Sequence, residues 1–195
     1  MNEENEVGEP GFRHLGDRLA HQGHIWHVAV ARFAAPDGHE FERDIVRSPG
    51  AVAAVPLYHD AAGVPRVVLL RQYRAPFDAM VIEIPAGMRD VPGEPTDVTA
   101  ARELVEEAGL TAGKMRHLLD MYPSVGMTDS VLTLYLATEL THVDRDTHGP
   151  EEAHMDVIDV PLADALGMVL RGEIHDAKTV IGLLLVEREL GRGRP

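Results

Sequence analysis

The sequence predicts a mixed α/β or α+β sandwich with an appended sheet at its amino-terminal end. Strand-like and helical runs interleave at irregular intervals, which is typical of helices packed on a mixed sheet. The chain has 195 residues, of which 45% are hydrophobic. This is enough for one well-packed core, or for one core with a small appendage. No internal repeat or low-complexity tract interrupts the pattern.

The amino-terminal part is predicted to be separate from the main domain. Residues 1–13 are rich in Glu and Gly and are expected to form a disordered acidic leader. Two β-leaning runs follow at 24–33 and 39–48, and the turn signal "APDG" between them predicts a hairpin. Residues 14–48 are therefore predicted to form a small antiparallel sheet, and residues 49–195 the main domain.

The main domain begins with strands and continues with one well-delimited helix. Strands are predicted at 51–60, 66–74 and 80–87, the last ending in Pro-Ala-Gly. A helix is predicted at 95–109, because Pro and Thr suit its entry and Gly109 suits its end. At about 100° per residue, one side of this helix is apolar and is predicted to be buried. That side carries Val98, Ala101, Leu104, Val105 and Ala108.

The chain closes with two strands and two helices. The strands are predicted at 131–140 and 154–160, and the helices at 161–173 and 176–190.

Composition excludes several classes of protein. The formal net charge of -14 argues against a nucleic-acid surface, because phosphate backbones are bound by basic patches. No run approaches the roughly 18 to 20 uncharged apolar residues of a membrane span, so no membrane partner is expected. An acidic start and the absence of cysteine favour a cytoplasmic protein.

Three glutamates crowd the side of the 95–109 helix opposite its apolar residues. Glu103, Glu106 and Glu107 lack an interspersed Lys, and like charges at these spacings repel one another. A solvated acidic face is one explanation and a cation site is the other. Oxygen donors on a rigid helix suit a hard cation such as Mg²⁺ or Mn²⁺. Gly87, ahead of the helix, is a candidate substrate-binding position because backbone there can approach a ligand closely.

The string from Gly87 to Leu110 resembles the signature of the Nudix hydrolases. That signature runs Gly, five residues, Glu, seven residues, then Arg-Glu-aliphatic-x-Glu-Glu-x-Gly-aliphatic. From Glu94 onward the match is complete through "RELVEEAGL". The departure lies at the front, where six residues rather than five follow Gly87. An extra loop residue is tolerable there, because the ligating positions lie on the helix.

The resemblance implies a Nudix-type α/β/α sandwich around a mixed sheet in residues 49–195. It also implies hydrolysis assisted by Mg²⁺ or Mn²⁺. Carried over residue by residue, Glu103 and Glu107 would be the principal metal ligands, supported by Glu106 and by the backbone carbonyl of Ala86. Arg102 would orient the glutamates through a charge-assisted hydrogen bond.

The segment "LLRQYRAPFDAMVIEIPAG" resembles the one that precedes the signature in ADP-ribose and ADP-sugar pyrophosphatases. There a Gln-aromatic-Arg triplet leads into Glu-x-Pro-Ala-Gly. Arg74 therefore becomes a candidate substrate contact, since a guanidinium matches a diphosphate bidentately. An ion pair is the alternative for Arg74, and Glu83 on the same segment has the same two alternatives. The resemblance extends over roughly residues 25–190.

In that subfamily the amino-terminal strands form a small sheet exchanged between two subunits, and the adenosine site lies at the dimer interface. The resemblance therefore implies a homodimer in which residues 14–48 contribute to the interface. Trp26, the only tryptophan, is a candidate for stacking on adenine. Packing within the sheet is the alternative for this side chain.

The general base departs from the subfamily pattern. The loop after the signature often ends in a catalytic glutamate, but the matching stretch here, "SVGMTDS", ends in Ser130. A serine hydroxyl does not accept a proton at useful pH. Glu151 and Glu152 lie on a later loop from which some relatives deliver their base, and Glu152 is narrowly favoured. Asp129 is a further candidate, and two solvated loop acids are the alternative for the Glu pair.

The predicted function is metal-dependent hydrolysis of ADP-ribose or a related ADP-sugar, giving AMP and a sugar phosphate. One alternative is a Nudix hydrolase of a different nucleoside diphosphate derivative. The other is a non-catalytic sensor that binds an ADP-ribose-like ligand. The intact signature counts against the sensor.

Overall fold

The computed structural model describes residues 11–145 and 154–192. The backbone divides into two compact units. The first comprises the chain up to residue 49 together with 124–130, and the second comprises 50–123 and the chain from 131 onward. Most of the predicted acidic leader lies outside the described residues.

The first unit is a three-stranded antiparallel sheet. Its strands are β1 (Arg13–Gln22), β2 (His27–Ala34) and β3 (Glu40–Arg47), in that spatial order. The hairpin predicted from "APDG" is confirmed, since Ala35 and His39 close the turn between β2 and β3. Gly38 has a φ of 87°, a left-handed conformation that explains glycine in this turn. Strand β1 was not predicted, because its residues are exposed and mostly polar along their whole length.

The second unit is built on a seven-stranded mixed sheet with the order β10-β5-β4-β9-β8, to which β6 adds beside β5 and β7 beside β4. The β4–β9 pair is parallel and the other pairs are antiparallel. The strands are β4 (Ala51–His59), β5 (Pro65–Arg74), β6 (Ala79–Glu83), β7 (Ala86–Met88), β8 (Leu110–Met121), β9 (Leu132–His142) and β10 (Asp156–Pro161). The helices are α1 (Thr96–Ala108), α2 (Leu162–Leu170) and α3 (Ala177–Gly191).

Helices cover both faces of this sheet, which confirms the predicted α/β/α sandwich. On β4, Val52 and Ala54 join the hydrophobic cluster that contains α1. The alternate residues Ala53 and Val55 join the cluster that contains α2 and α3. Successive strand residues point to opposite faces, so the uninterrupted apolar run of β4 reflects burial on both sides.

Two strand predictions for the second unit differ from the structure. The single strand predicted at 80–87 is two strands, β6 and β7, because Pro85 has no N–H with which to continue a ladder. Strand β8 was not predicted, since Gly113 and several polar residues mask its alternation.

No helix in the described ranges is long and apolar enough to cross a membrane.

Helix α1 has the predicted ends but a different buried face. It follows the extended Pro95, and Gly109 ends it with a φ of 64°. The buried residues are Thr99, Ala100, Leu104, Glu107 and Ala108, whereas Val98 is about half exposed. The prediction of the buried side was therefore wrong. The side that is buried is rotated about the helix axis relative to the predicted one. Consequently Glu107 lies inside the molecule rather than on an acidic outer surface.

Candidate active site

Arg102 lies at the centre of a cluster of carboxylates contributed by α1 and by the loop before it. Its Nη1 is 2.9 Å from Glu103 Oε1 and 2.9 Å from Glu106 Oε2. Its Nη2 is 3.3 Å from Asp90 Oδ1 and 3.5 Å from Glu94 Oε2. One guanidinium thus contacts four carboxylates between residues 90 and 106. Its orienting role stays a prediction.

Glu107 is held against the start of β7. Only 5% of the residue is exposed, and its Oε2 accepts a hydrogen bond of 2.8 Å from the N–H of Ala86. Two positions predicted as metal ligands, Ala86 and Glu107, are therefore adjacent. A buried carboxylate requires such partners, because its desolvation is otherwise very unfavourable.

Gly87 lies directly beneath the carboxylate of Glu103. A Cβ at this position would overlap the carboxylate carbon and both of its oxygens. Gly87 pairs with Val52 in the sheet, so the backbone has little room to move away. Any side chain at this position would therefore displace the Glu103 carboxylate, whereas the backbone conformation itself does not demand glycine.

The electrostatics of the cluster favour an additional positive charge. Burial raises the pKa of Glu103 to about 7, and the charges of Glu106 and Asp90 act in the same direction against the opposing effect of Arg102. Arg102 therefore does not fully offset the combined effect of burial and of the neighbouring negative charges on Glu103. Their donors are all oxygens, which is the chemistry that a hard divalent cation requires. These residues therefore fit a divalent metal.

The carboxylates do not already converge on one point. In the described part of the chain, no three Asp, Glu or His side chains have the arrangement of a metal site. Glu103 and Glu106 are directed to Arg102, and Glu107 is directed to Ala86. Common coordination of one cation would require these side chains to rotate.

A second set of charged residues lines a cavity of about 820 Å³. Arg74 pairs bidentately with the buried Glu83, through Nε–Oε1 at 2.6 Å and Nη2–Oε2 at 2.9 Å. The ion pair that was the alternative for both residues is thus present. About 40% of the Arg74 side chain remains exposed, and the residue also lines the cavity, so the pair does not remove it as a substrate contact. Other lining residues include Phe77, Met80, His175 and Lys178.

The cavity and the carboxylate cluster are close enough to interact electrostatically. The hydrogen bonds that Arg74 donates to Glu83 raise the pKa of Arg74, and the charge of Glu107 contributes in the same direction. Burial alone would raise the pKa of Glu83, but hydrogen bonds from Arg74 and Lys178 hold it below its ordinary value. Glu83 is therefore ionised. Lys178 was not identified from the sequence, because it follows Glu83 by 95 residues and no local pattern marks it.

In the first unit, Trp26 is 52% exposed and lies in the turn between β1 and β2. A pocket of about 350 Å³ in this unit is lined by aromatic, basic and aliphatic residues of β2 and β3 and by residues 125–129. Phe33 and Phe41 stack with ring centroids 5.5 Å apart, and the guanidinium of Arg43 lies 4.7 Å from the centroid of Phe41. Such a pocket suits a planar aromatic group. Phe41 and Arg43 are two positions apart on β3 and therefore lie on the same face of the strand. This spacing is the sequence signal that could have identified the pocket.

The candidate bases are only partly described. The N–H of Ser130 donates to the hydroxyl of Thr128 over 3.1 Å. Asp129 is 3.0 Å from Arg47 and also accepts a hydrogen bond from the N–H of Ser48, so its carboxylate is engaged within the first unit. Glu151 and Glu152 lie outside the described residues.

Comparison with known proteins agrees with this geometry. Residues 47–181 match the NUDIX domain. An ADP-ribose pyrophosphatase of Mycobacterium tuberculosis is 37% identical over 180 residues, covering 92% of this chain and 85% of the relative. An ADP-ribose pyrophosphatase of Bacillus subtilis is 34% identical over 161 residues, covering 83% of this chain and 84% of the relative.

A solved structure described as an ADP compounds hydrolase has a TM-score of 0.78, at 22% identity, and covers 94% of this chain and 97% of its own. At this identity the likeness is evidence of the fold alone. The signature on α1, the α/β/α sandwich and the match over 47–181 together show that this chain belongs to the Nudix hydrolase family.

Proposed function

We propose that this protein hydrolyses the diphosphate of ADP-ribose or a related ADP-sugar in a reaction that depends on Mg²⁺ or Mn²⁺. The oxygen of a water molecule forms a bond to one phosphorus, and the bridging P–O bond breaks. The products are AMP and a sugar phosphate, which is ribose 5-phosphate when the substrate is ADP-ribose.

The observation that carries this proposal is the identity of 37% and 34% to two ADP-ribose pyrophosphatases over most of the chain. The site supports it chemically. One signature carboxylate, Glu107, lies within electrostatic reach of Arg74, and Arg74 lines a cavity of about 820 Å³. Guanidinium groups bind diphosphates bidentately, and carboxylates hold the cations that such substrates require.

The residues that would hold the cation are Glu103, Glu106 and Glu107, with the backbone carbonyl of Ala86. A bound divalent cation would neutralise the diphosphate and lower the pKa of coordinated water. Arg102 keeps Glu103 and Glu106 oriented through its Nη1. The N–H of Ala86 keeps Glu107 at the start of β7.

The proton of the attacking water goes to a carboxylate, for which Glu152 is the proposed acceptor. We expect Glu152→Gln to lower kcat by about a hundredfold or more, because a positioned base contributes 10²–10⁴ in rate. Steady-state hydrolysis of ADP-ribose measures this. Glu151→Gln is the matched control and should keep kcat within about threefold of the wild type. The reverse result would assign the base to Glu151, and normal kcat in both variants would move it to Asp129.

A substrate panel tests the proposed function directly. Purified protein is assayed with Mg²⁺ or Mn²⁺ on ADP-ribose, ADP-glucose, NADH, diadenosine polyphosphates and nucleoside triphosphates. We expect ADP-ribose or an ADP-sugar to have the highest kcat/KM, and a chelator to abolish turnover because the phosphate charge is then not neutralised. Preference for another member would establish a different Nudix substrate. Binding of ADP-ribose without turnover of any member would favour the sensor.

Other properties expected from the sequence stay predictions. These are the homodimer, the dimerisation role of residues 14–48, the cytoplasmic location, and the lack of nucleic-acid and membrane partners. In the first unit Phe12, Leu19, Ile25 and Trp26 are at least half exposed, which supports a partner surface there. Stacking of Trp26 on adenine also stays a prediction.

A further inference from the structure

Lys178 is one of only two lysines in a chain with 18 basic residues. Its side chain is 11% exposed, whereas that of Lys114, the other lysine, is 71% exposed. Burial of an ammonium group is unfavourable unless carboxylates surround it. Lys178 has two such partners, Glu83 Oε2 at 2.5 Å and Asp176 Oδ1 at 3.0 Å. Lys178 also lines the cavity that Arg74 lines.

Lys178 and Arg74 bind the same carboxylate oxygen. Glu83 Oε2 accepts from Arg74 Nη2 at 2.9 Å and from Lys178 Nζ at 2.5 Å. A guanidinium has five N–H groups, so pairing through Nε and Nη2 leaves donors for an anion in the cavity. The direction of those donors depends on where Glu83 is held, and Lys178 is one of the two groups that hold it.

The backbone around Lys178 is firmly placed. Asp176 caps α3 by accepting from the N–H of Thr179 at 3.0 Å and from its hydroxyl at 2.6 Å. The same hydroxyl accepts from the N–H of Ile84 at 2.8 Å. Glu83 and the next residue, Ile84, are thus hydrogen-bonded to Lys178 and Thr179, which are consecutive residues of α3. The ammonium of Lys178 therefore acts on Glu83 from a rigid support.

Charge gives Lys178 a second effect. Alone with Arg74, the ionised Glu83 would neutralise the guanidinium and weaken its attraction for phosphate. With Lys178 present, two cations share that carboxylate, and Lys178 is in turn shared with Asp176. Lys178 thereby reduces the share of the Glu83 charge that acts on Arg74. It does not make the wall positive, because Asp176 and Glu173 also line the cavity.

We infer that Lys178 is a positioning residue for substrate binding, which acts through Glu83 to orient Arg74 for the diphosphate. This inference rests on the proposed function. It requires no contact between Lys178 and the substrate.

The first test is the kinetic effect of Lys178→Met. We expect KM for ADP-ribose to rise about tenfold and kcat to stay within about threefold, because an interaction equal in the ground and transition states is lost. Lys178→Arg keeps the charge. Its KM should therefore rise by no more than half as much as that of Lys178→Met, measured on a logarithmic scale. Lys114→Met is the matched control and should leave KM unchanged. A fall in kcat or in thermal midpoint with normal KM would show a purely structural role and overturn the inference.

A double-mutant cycle tests the route through Glu83. Glu83→Gln should itself raise KM, and adding Lys178→Met to it should change KM by less than about twofold. If KM of the double variant instead rose by the product of the two single effects, Lys178 would bind the substrate directly. That result would overturn the positioning role. If Lys178→Met does not fold, Lys178→Gln replaces it in both tests, since its amide retains a donor without the charge.

Failure of the inference is distinguishable from failure of the proposed function. If the wild type hydrolyses a different nucleoside diphosphate derivative, the proposed substrate is wrong, and the same variants are measured on that compound because the diphosphate is shared. If the wild type turns over no compound, calorimetric binding of inorganic pyrophosphate to the wild type and Lys178→Met is compared. Equal affinities would overturn the inference, and an affinity about tenfold weaker in the variant would support it.

Discussion

Glu107→Gln is expected to lower kcat/KM for ADP-ribose by about a thousandfold, because a bound cation supplies several kcal/mol of charge stabilisation. The amide has nearly the same shape as the carboxylate. Its oxygen can still accept the hydrogen bond from the N–H of Ala86, which is 2.8 Å long in the wild type. The loss should therefore come from the missing charge and not from misfolding. Hydrolysis measured across a Mg²⁺ titration tests this expectation.

Glu187→Gln is the matched control for this substitution. Glu187 lies on the exposed side of α3, and the same chemical change there should leave kcat/KM and its Mg²⁺ dependence unaltered. Thermal unfolding should show both variants folded. Activity of Glu107→Gln within about tenfold of the wild type at saturating Mg²⁺ would contradict the assignment of Glu107 as a principal ligand.

Gly87→Ala is expected to lower activity by about a hundredfold, since misplacing a catalytic group by about 1 Å has an effect of this size. The added methyl group would overlap the carboxylate of Glu103, so Glu103 is displaced from the start of β7, where Ala86 and Glu107 also lie. The backbone at Gly87 can accommodate alanine, because its φ lies outside the left-handed region. Weaker binding of Mn²⁺, measured by calorimetry, should accompany the loss of activity.

Gly191→Ala is the control for the second substitution. Gly191 is the last residue of α3, and nothing lies within 4 Å of a Cβ built there. This variant should have normal activity and normal Mn²⁺ affinity. If Gly87→Ala also bound Mn²⁺ normally and retained its activity, Glu103 would not be required as a ligand.

The two substitutions report on different parts of the same site. Glu107→Gln changes charge at a buried position that stays in place, whereas Gly87→Ala moves a carboxylate and keeps its charge. Comparable losses in both variants would mean that the cation depends on the position of Glu103 as well as on the charge of Glu107.

Features with short-range causes could be predicted from the sequence. The ends of α1 follow from Pro95, whose preceding position resists helix, and from Gly109, whose φ of 64° few other residues adopt. The β2–β3 hairpin follows from its turn residues in the same way. Burial on both faces explains the apolar run of β4. These signals act within a few residues, so they can be recognised without knowledge of the fold.

Other features depend on contacts between distant segments. Glu107 has the same local surroundings as Glu106, but it is Glu107 that accepts a hydrogen bond from the N–H of Ala86 in β7, and it is the more deeply buried of the two. Strands β1 and β8 lack a clear apolar alternation, and they exist because β2 and β9 pair with them along their length. Local pattern carries no information about such partners.

The sequence by itself determined the α/β/α class, the helix that carries the signature, and the candidate set of Glu103, Glu106 and Glu107. The tertiary structure decided which of these acids is buried, that Arg74 is paired with Glu83, and that Lys178 joins the pair from 95 residues away. Propensity and spacing act along the chain, whereas ion pairing and burial act through space. They are therefore settled only when β6, β7 and the helices have packed together.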